Sequence, residues 1–442
     1  MHNPAGLALE GGTRLWAEAA AGFHRMTYER PDGAIDHPLA DGERAAGTPP
    51  DARGANAGRA STLGVFAGPT AAAAVSDMGT PHLALAVGIH VPLAASLRWD
   101  ENAAFRGSQR YPGALDGVQR WWAIEAEIRG IAGTVAIARR FPGAGLSIGA
   151  SAGLLHLDVR TVVARGSGGT DDLVTRSGGI LEGRALLEVS GIAPVLTAGA
   201  IWEPADGLYL GAAYESRPGL GDMSLEGTYA TRSGAAEVSG PTVLRQAWPD
   251  VVRGGARLVL PRVELRITAE YQRWSVVRSQ CIVDATTPGP CRVTAAGAAD
   301  PAPGSATVLA FARRDWRDTV IVRAGTTVTI GERIALLAGA GYDGSAVPDA
   351  TLDPGLHDAK KLIFSGGVRY KLDGAPVALT ATYTHVAFFD RSLAPRPRDA
   401  DGAPIAPEPP SRAPDPAGRY ARALGLLLVG LEWQLPSFAP SP

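Results

Sequence analysis

The chain has 442 residues, with 42 Lys+Arg against 44 Asp+Glu and a formal net charge of -2 at pH 7. Arginines spread singly over a near-neutral chain offer no basic face for nucleic acid, and no apolar run reaches the ~20 residues of a membrane helix. A chain this long usually divides into roughly two or three domains, yet strand signals run from about residue 13 to 435 with no dividing linker, which one large barrel explains more simply.

Taken in order, residues 14–28 read as a first strand and 31–60 as a polar loop rich in Pro, Gly, Asp and Arg. Residues 61–68 return, 71–81 read as a small-residue connection, and 82–97 as a third strand interrupted by Pro92. A proline gives no N–H to the ladder, so that strand must bulge, kink or stay unpaired there. Residues 121–141 and 146–159 follow around a Pro142-Gly143 turn, then a Gly/Ser/Thr/Asp loop over 165–179. Residues 182–202 and 208–215 flank a compact turn, and 217–247 read as a long connection with some internal strand near 224–231.

The clearest pattern lies between 250 and 372. Val263, Leu265, Ile267, Ala269 and Tyr271 alternate with Glu264, Arg266, Thr268 and Glu270. Val320, Val322, Ala324 and Val328 oppose Ile321, Arg323, Thr327 and Thr329, and Leu362, Phe364, Val368 and Tyr370 oppose Ile363, Ser365, Arg369 and Lys371. Period two means strands with unlike faces. The mixed face is too charged for a sandwich core and suits the wet inside of a barrel whose other face meets lipid. Strands over 251–260, 263–274, 319–330, 334–342, 362–372, 377–389 and 422–435 complete a count of about fourteen, within the range of bacterial barrels.

Connections alternate, long after odd strands and short after even ones, which puts the short turns and both termini on the periplasmic side. Tyr28, Trp99, Tyr214, Trp248, Tyr271, Trp274, Trp316, Tyr342 and Phe388 sit near the long-loop ends, and Trp202, Tyr209, Tyr370 and Trp433 near the short-turn ends. Two such girdles fit rings at the lipid–water boundary. Cys281 and Cys291, with nine residues between them in a loop, admit either a small disulfide in an oxidising compartment or two reduced thiols; a metal needs more ligands. No nucleophile–base–orienter set, His-Glu-x-x-His, Gly-x-Ser-x-Gly or Walker loop appears, so neither catalysis, cofactor nor metal is expected.

Four stretches, in order and with matching spacing, resemble the FadL family of outer-membrane transporters for long-chain fatty acids and aromatic hydrocarbons. They are Asn3-Pro4-Ala5, Gly211-Ala212-Ala213-Tyr214-Glu215-Ser216, Ala269-Glu270-Tyr271-Gln272-Arg273-Trp274-Ser275, and Trp316-Arg317-Asp318-Thr319 with Gly341-Tyr342-Asp343-Gly344-Ser345-Ala346-Val347-Pro348-Asp349. Ala346 stands where the family has the first proline of Ser-Pro-Val-Pro, and the chain ends Phe438-Ala439-Pro440-Ser441-Pro442 where such barrels end on an aromatic. The resemblance implies an all-β, transmembrane antiparallel barrel of about fourteen strands, with an N-terminal hatch carrying Asn3, Pro4 and Ala5. It also implies passive uptake of hydrophobic small molecules, with lateral release at a kinked third strand, here at Pro92. The family has a longer hatch and an export signal before Asn-Pro-Ala; neither is visible ahead of Asn3, and the expectation is a late start.

The predicted layout is therefore hatch remnant 1–12, barrel 13–435 and tail 436–442. The predicted setting is the bacterial outer membrane, as a monomer among lipid and lipopolysaccharide. Candidate lumen groups are Arg253, Arg257, Glu264, Arg266, Glu270, Arg323, Arg369 and Lys371. With Pro261-Arg262 as a two-residue turn, Arg253 faces Glu270 and Arg257 faces Arg266. An arginine without a facing carboxylate would hold a ligand carboxylate by a charge-assisted contact; the alternative is that these groups brace one another or the hatch. The competing reading of the whole is a structural or adhesion-type barrel whose 275–315 and 395–416 loops bind a partner. A third is a soluble all-β binding protein.

Overall fold

The computed structural model describes residues 2–34, 53–109, 111–166, 182–233, 236–294, 300, 302–397 and 414–435. Most of the 165–179 and 395–416 loops, much of 31–60 and the tail 436–442 lie outside them. The strands are β1 (Thr13–Arg30), β2 (Gly58–Ser76), β3 (Leu83–Arg98), β4 (Glu125–Phe141), β5 (Leu146–Gly166), β6 (Glu182–Ala205), β7 (Leu208–Glu215), β8 (Met223–Ser233), β9 (Ala236–Gln246), β10 (Val251–Val259), β11 (Val263–Gln272), β12 (Ser279–Asp284), β13 (Val308–Arg313), β14 (Thr319–Ile330), β15 (Ile334–Asp343), β16 (Lys361–Lys371), β17 (Val377–Phe388), β18 (Arg391–Leu393) and β19 (Gly418–Leu435).

Antiparallel pairing runs β1 through β7, then β10, β11, β14, β15, β16, β17 and β19, and β19 returns to β1. Those fourteen strands form a closed ring, and they are the fourteen that alternation and turns pick out. Closure removes the sheet edges that lipid could not satisfy. Two-faced strands dictate what each wall meets. On β11, Leu265 is 45% and Ile267 53% exposed, and on β16 Phe364 is 50% exposed, with no second sheet over them among the described residues. The β10–β11 register follows from the Pro261-Arg262 turn: Arg253 stands opposite Glu270 and Arg257 opposite Arg266.

Three expectations need correction. Residues 71–76 are strand, the end of β2, because they pair with β1 and with Leu85 to His90 of β3; only 77–82 connects. Residues 217–247 hold the hairpin β8–β9, which forms because β6 runs on past the ring and offers residues 184–190 to β8. β12 joins β9 and β13 joins β12, so these four strands extend the wall outward as an annex. The aromatic girdle is also smaller than expected. Tyr214, Tyr271, Tyr342, Trp202, Tyr370 and Trp433 are exposed on the outside, whereas Tyr28 and Trp99 are core. Trp248, Trp274 and Trp316 turn inward and meet edge to face or tilted, with centroids 6.5 Å and 5.1 Å apart.

The long loops cap the outer mouth. Met26, Tyr28, Trp99, Val118, Leu352 and Tyr420 form a buried cluster there. Beneath it, Arg120 (0% side-chain exposure) pairs with Glu182 at 3.0 Å. Cys281 and Cys291 are disulfide-bonded, fastening the 285–291 segment to the annex.

Candidate functional site

Near the short-turn rim the N-terminal segment lies inside the ring. Asn3 leads a short 3-10 turn, Pro4–Leu9, and its Oδ1 accepts the Ala5 N–H at 3.0 Å. Asn3 Nδ2 donates to the carbonyls of Ala200 (3.2 Å) and Ala212 (3.1 Å), the backbones of β6 and β7. This approach needs glycine on the wall: a Cβ at Gly199 would lie 2.3 Å from Asn3 Oδ1, and one at Gly149 2.5 Å from Ala5 N.

The charged wall comes together as one network. Arg253 pairs with Glu215 at 2.8 Å and with Glu270 at 3.3 Å, and Arg323 reaches the same Glu270. Arg257 pairs with Glu264 at 2.7 Å, Arg266 shares that carboxylate, and Arg369 pairs with Glu432 at 2.8 Å. All five candidate arginines thus hold a carboxylate, the arrangement that the bracing alternative expects. The cause is diagonal reach: Arg257 and Arg266, like charges on one rung, draw in the neighbouring Glu264. The pairs run from mostly buried (Arg253–Glu270) to half-exposed (Arg266), and only the exposed ones fall to about 0–1 kcal/mol each; together they brace and wet the wall.

Pro92 lies where two residues of β3 oppose one of β4, between the pairs His90–Ala132 and Leu93–Gly130. This bulge flips the strand's faces. On its other side β3 pairs with β2 only from Leu85 to His90, against Ala71 to Ser76. Beyond that point β2 and β3 part, and Leu63 (64% exposed) and Val65 (80%) flank an open seam. Pro69 of β2 sits at its base, so a proline marks each lip, removing one donor from each strand. Pro69 carries the same sequence signal as Pro92.

The seam opens into a cavity of about 2420 Å³ that reaches from the capped mouth into the ring. Leu424, Leu426 and Leu428 of β19 line one wall, the Trp248–Trp274–Trp316 ladder another. Above the leucines stands Arg422, which alternation does not single out because the residues after it, 423–431, are apolar on both faces. Its Nη1 donates to the His357 carbonyl at 3.3 Å and its guanidinium lies 4.8 Å over the Phe388 ring. No carboxylate among the described residues lies within ion-pair distance of it, and its Nε is buried without a partner. His357 is 6% exposed, stacks on Tyr420 at 5.5 Å, and has an unpartnered Nε2. Burial, and then the Arg422 charge, lowers its pKa to about 4, so it stays neutral. Among the described residues no group of three His, Cys, Asp or Glu is placed to hold a metal ion.

A closed ring with an apolar exterior, a wet charged wall, an internal plug and a cavity opening sideways defines an outer-membrane channel. The sequence pattern of the outer membrane protein transport family (OMPP1/FadL/TodX) matches residues 143–404, and the chain belongs to that family. It is therefore a bacterial outer-membrane protein. The Pseudomonas aeruginosa FadL homologue superimposes with a TM-score of 0.72 at 16% identity, covering 98% of this chain and 92% of that one. The Ralstonia pickettii toluene transporter TbuX gives 0.60 at 12% identity (99% and 93%), and the P. putida toluene transporter TodX 0.58 at 13% (98% and 93%). No curated protein matches the chain.

Proposed function

We propose that the barrel takes up hydrophobic small molecules such as long-chain fatty acids or hydrocarbons from outside and releases them sideways into the membrane between β2 and β3. The observation that carries this is the parted seam beyond Ala71 and His90, into which the cavity opens. Two further features support it. The lower lumen is plugged by residues 3–9 and walled by ion pairs, a poor path for an apolar molecule. Two of the solved relatives carry the name toluene transporter. Residues 1–12 act as the hatch, 13–435 as the barrel, and the self-closing β1–β19 pairing suits a monomer surrounded by lipid and lipopolysaccharide. The partner-binding alternative gains nothing from the annex, whose β13 lines the cavity. No step here calls for a catalytic group or cofactor.

The test fills the seam. A Cβ at Gly68 meets nothing within 4 Å, and Gly68 lines the opening. Gly68→Trp is expected to reduce uptake of labelled oleate and toluene into cells to the level without the channel, while the purified variant still binds both. Unchanged uptake by a correctly assembled Gly68→Trp barrel would sink lateral release.

A further inference from the structure

Six of the 9 tryptophans, Trp99, Trp121, Trp122, Trp248, Trp274 and Trp316, line this same cavity, and the other three, Trp16, Trp202 and Trp433, face outward at 39%, 49% and 43% exposure. An alkyl chain needs no such surface, since leucine packs against it equally well. The three indoles touch one another edge to face or tilted, at centroid distances of 5.1 Å and 6.5 Å, and the faces and edges they leave to the cavity suit a planar ring, which prefers offset and edge contacts. The ladder ends at Trp316, which packs against the cluster containing Tyr28 and Tyr420. Arg422 is the next inward residue of β19 after Tyr420, so ring surface and guanidinium meet at one end of the cavity.

The electrostatics at that end are lopsided. Lys361 is matched by Asp343 (3.2 Å) and Asp358 (3.1 Å), Arg391 by Asp349, and Arg314 by Asp353 at 2.8 Å. Arg422 contacts only a backbone carbonyl and a ring face; Asp358 acts on it from beyond ion-pair distance and is already paired with Lys361. A cation enclosed by protein with no anion in contact is unfavourable unless a counter-charge arrives.

We infer that the cavity binds aromatic carboxylates, with the ring against the Trp316 end of the ladder and the carboxylate on Arg422. This rests on the uptake reading above and narrows its substrate class. Arg422 offers a charge-assisted contact that a plain hydrocarbon cannot use, and the tryptophans offer a stacking surface that an alkyl acid cannot use.

Three probes separate head from ring: 2-naphthoate has both, 2-methylnaphthalene the ring alone, decanoate the head alone. Each is titrated calorimetrically into the detergent-solubilised full chain, into Arg422→Gln, Arg422→Lys and Trp316→Leu, all in the same detergent so that micelle partition cancels between variants. In the unmodified protein 2-naphthoate is expected to bind at least about tenfold tighter than either single-feature probe, the scale of one charge-assisted hydrogen bond. Arg422→Gln should weaken 2-naphthoate and decanoate by about tenfold to a hundredfold and leave 2-methylnaphthalene within about twofold, with Arg422→Lys in between. Trp316→Leu should weaken both naphthalenes and spare decanoate. Equal binding of 2-naphthoate and 2-methylnaphthalene overturns the role of the head, and equal binding of 2-naphthoate and decanoate overturns the role of the ring. The comparison within the unmodified protein decides even where a variant fails to assemble. Binding of none of the three would instead remove the uptake reading itself.

Discussion

The seating of the N-terminal segment rests on two wall glycines, and one added methyl tests it. A Cβ at Gly149 would lie 2.5 Å from Ala5 N, 2.6 Å from the Pro4 carbonyl carbon and 2.9 Å from Ala5 Cα. All three are backbone atoms, so relief requires the segment to move away from β5 as a unit. Moving it breaks the two bonds from Asn3 Nδ2 to Ala200 and Ala212. At about 1 kcal/mol net for each, their loss amounts to about 2 kcal/mol, or roughly thirtyfold toward the undocked state. Gly149→Ala is therefore expected to raise single-channel conductance in planar bilayers and to admit small hydrophilic solutes into proteoliposomes, with the barrel still heat-modifiable on gels. Gly133→Ala is the matched control, because a Cβ there meets nothing within 4 Å. If Gly149→Ala conducts no more than Gly133→Ala, the plug is held by something other than this backbone contact.

Other outcomes follow from the cap and the seam. His357 holds its pKa near 4, below the ordinary 6.5, through burial and then the Arg422 charge, with Arg391 adding to Arg422, and Asp358 and Asp390 opposing. The stabilisation from keeping it neutral is thus complete above pH 6.5 and lost as the pH falls toward 4, up to about 3 kcal/mol. Amide exchange in residues 344–360 should therefore quicken between pH 7 and pH 4.5, and His357→Phe should flatten that response; equal protection at both pH values refutes it. Reducing Cys281–Cys291 is expected to expose residues 285–291 to protease, with loop-closure stabilisation of about 3 kcal/mol lost, while the ring stays intact; a segment that remains resistant counts against the bond as its fastener. Pro92→Val restores an N–H to the lip of β3 and is expected to slow uptake severalfold by favouring a closed seam. Uptake at the original rate would show that the seam stays open for other reasons.

What the sequence makes legible depends on how local the cause is. The register of β10 on β11 follows from two turn residues, and the facing of Arg253 with Glu270 follows from the register. The outward set Leu265, Ile267 and Phe364 follows from alternation alone. The annex was hidden because β8 and β9 form only where the far end of β6 is already in place, a pairing no local pattern announces. Trp248, Trp274 and Trp316 sit just outside strands, where parity no longer fixes which way a side chain points, so their inward turn is a tertiary effect. Arg422 illustrates the opposite blind spot. Residues 423–431 are apolar on both faces, so alternation does not say which way Arg422 points, and its lack of an ion-pair partner among the described residues depends on loops folding over it from elsewhere in the chain.

β6 serves two neighbours, giving its inner half to β7 and its outer half to β8. The circumference in the membrane is thereby set by fourteen strands, however many stand on the exterior stub. A lineage carrying this architecture can lengthen, shorten or replace the outer sheet, and with it the surface offered to phage, antibody or scarce nutrient, without re-registering a single rung of the ring.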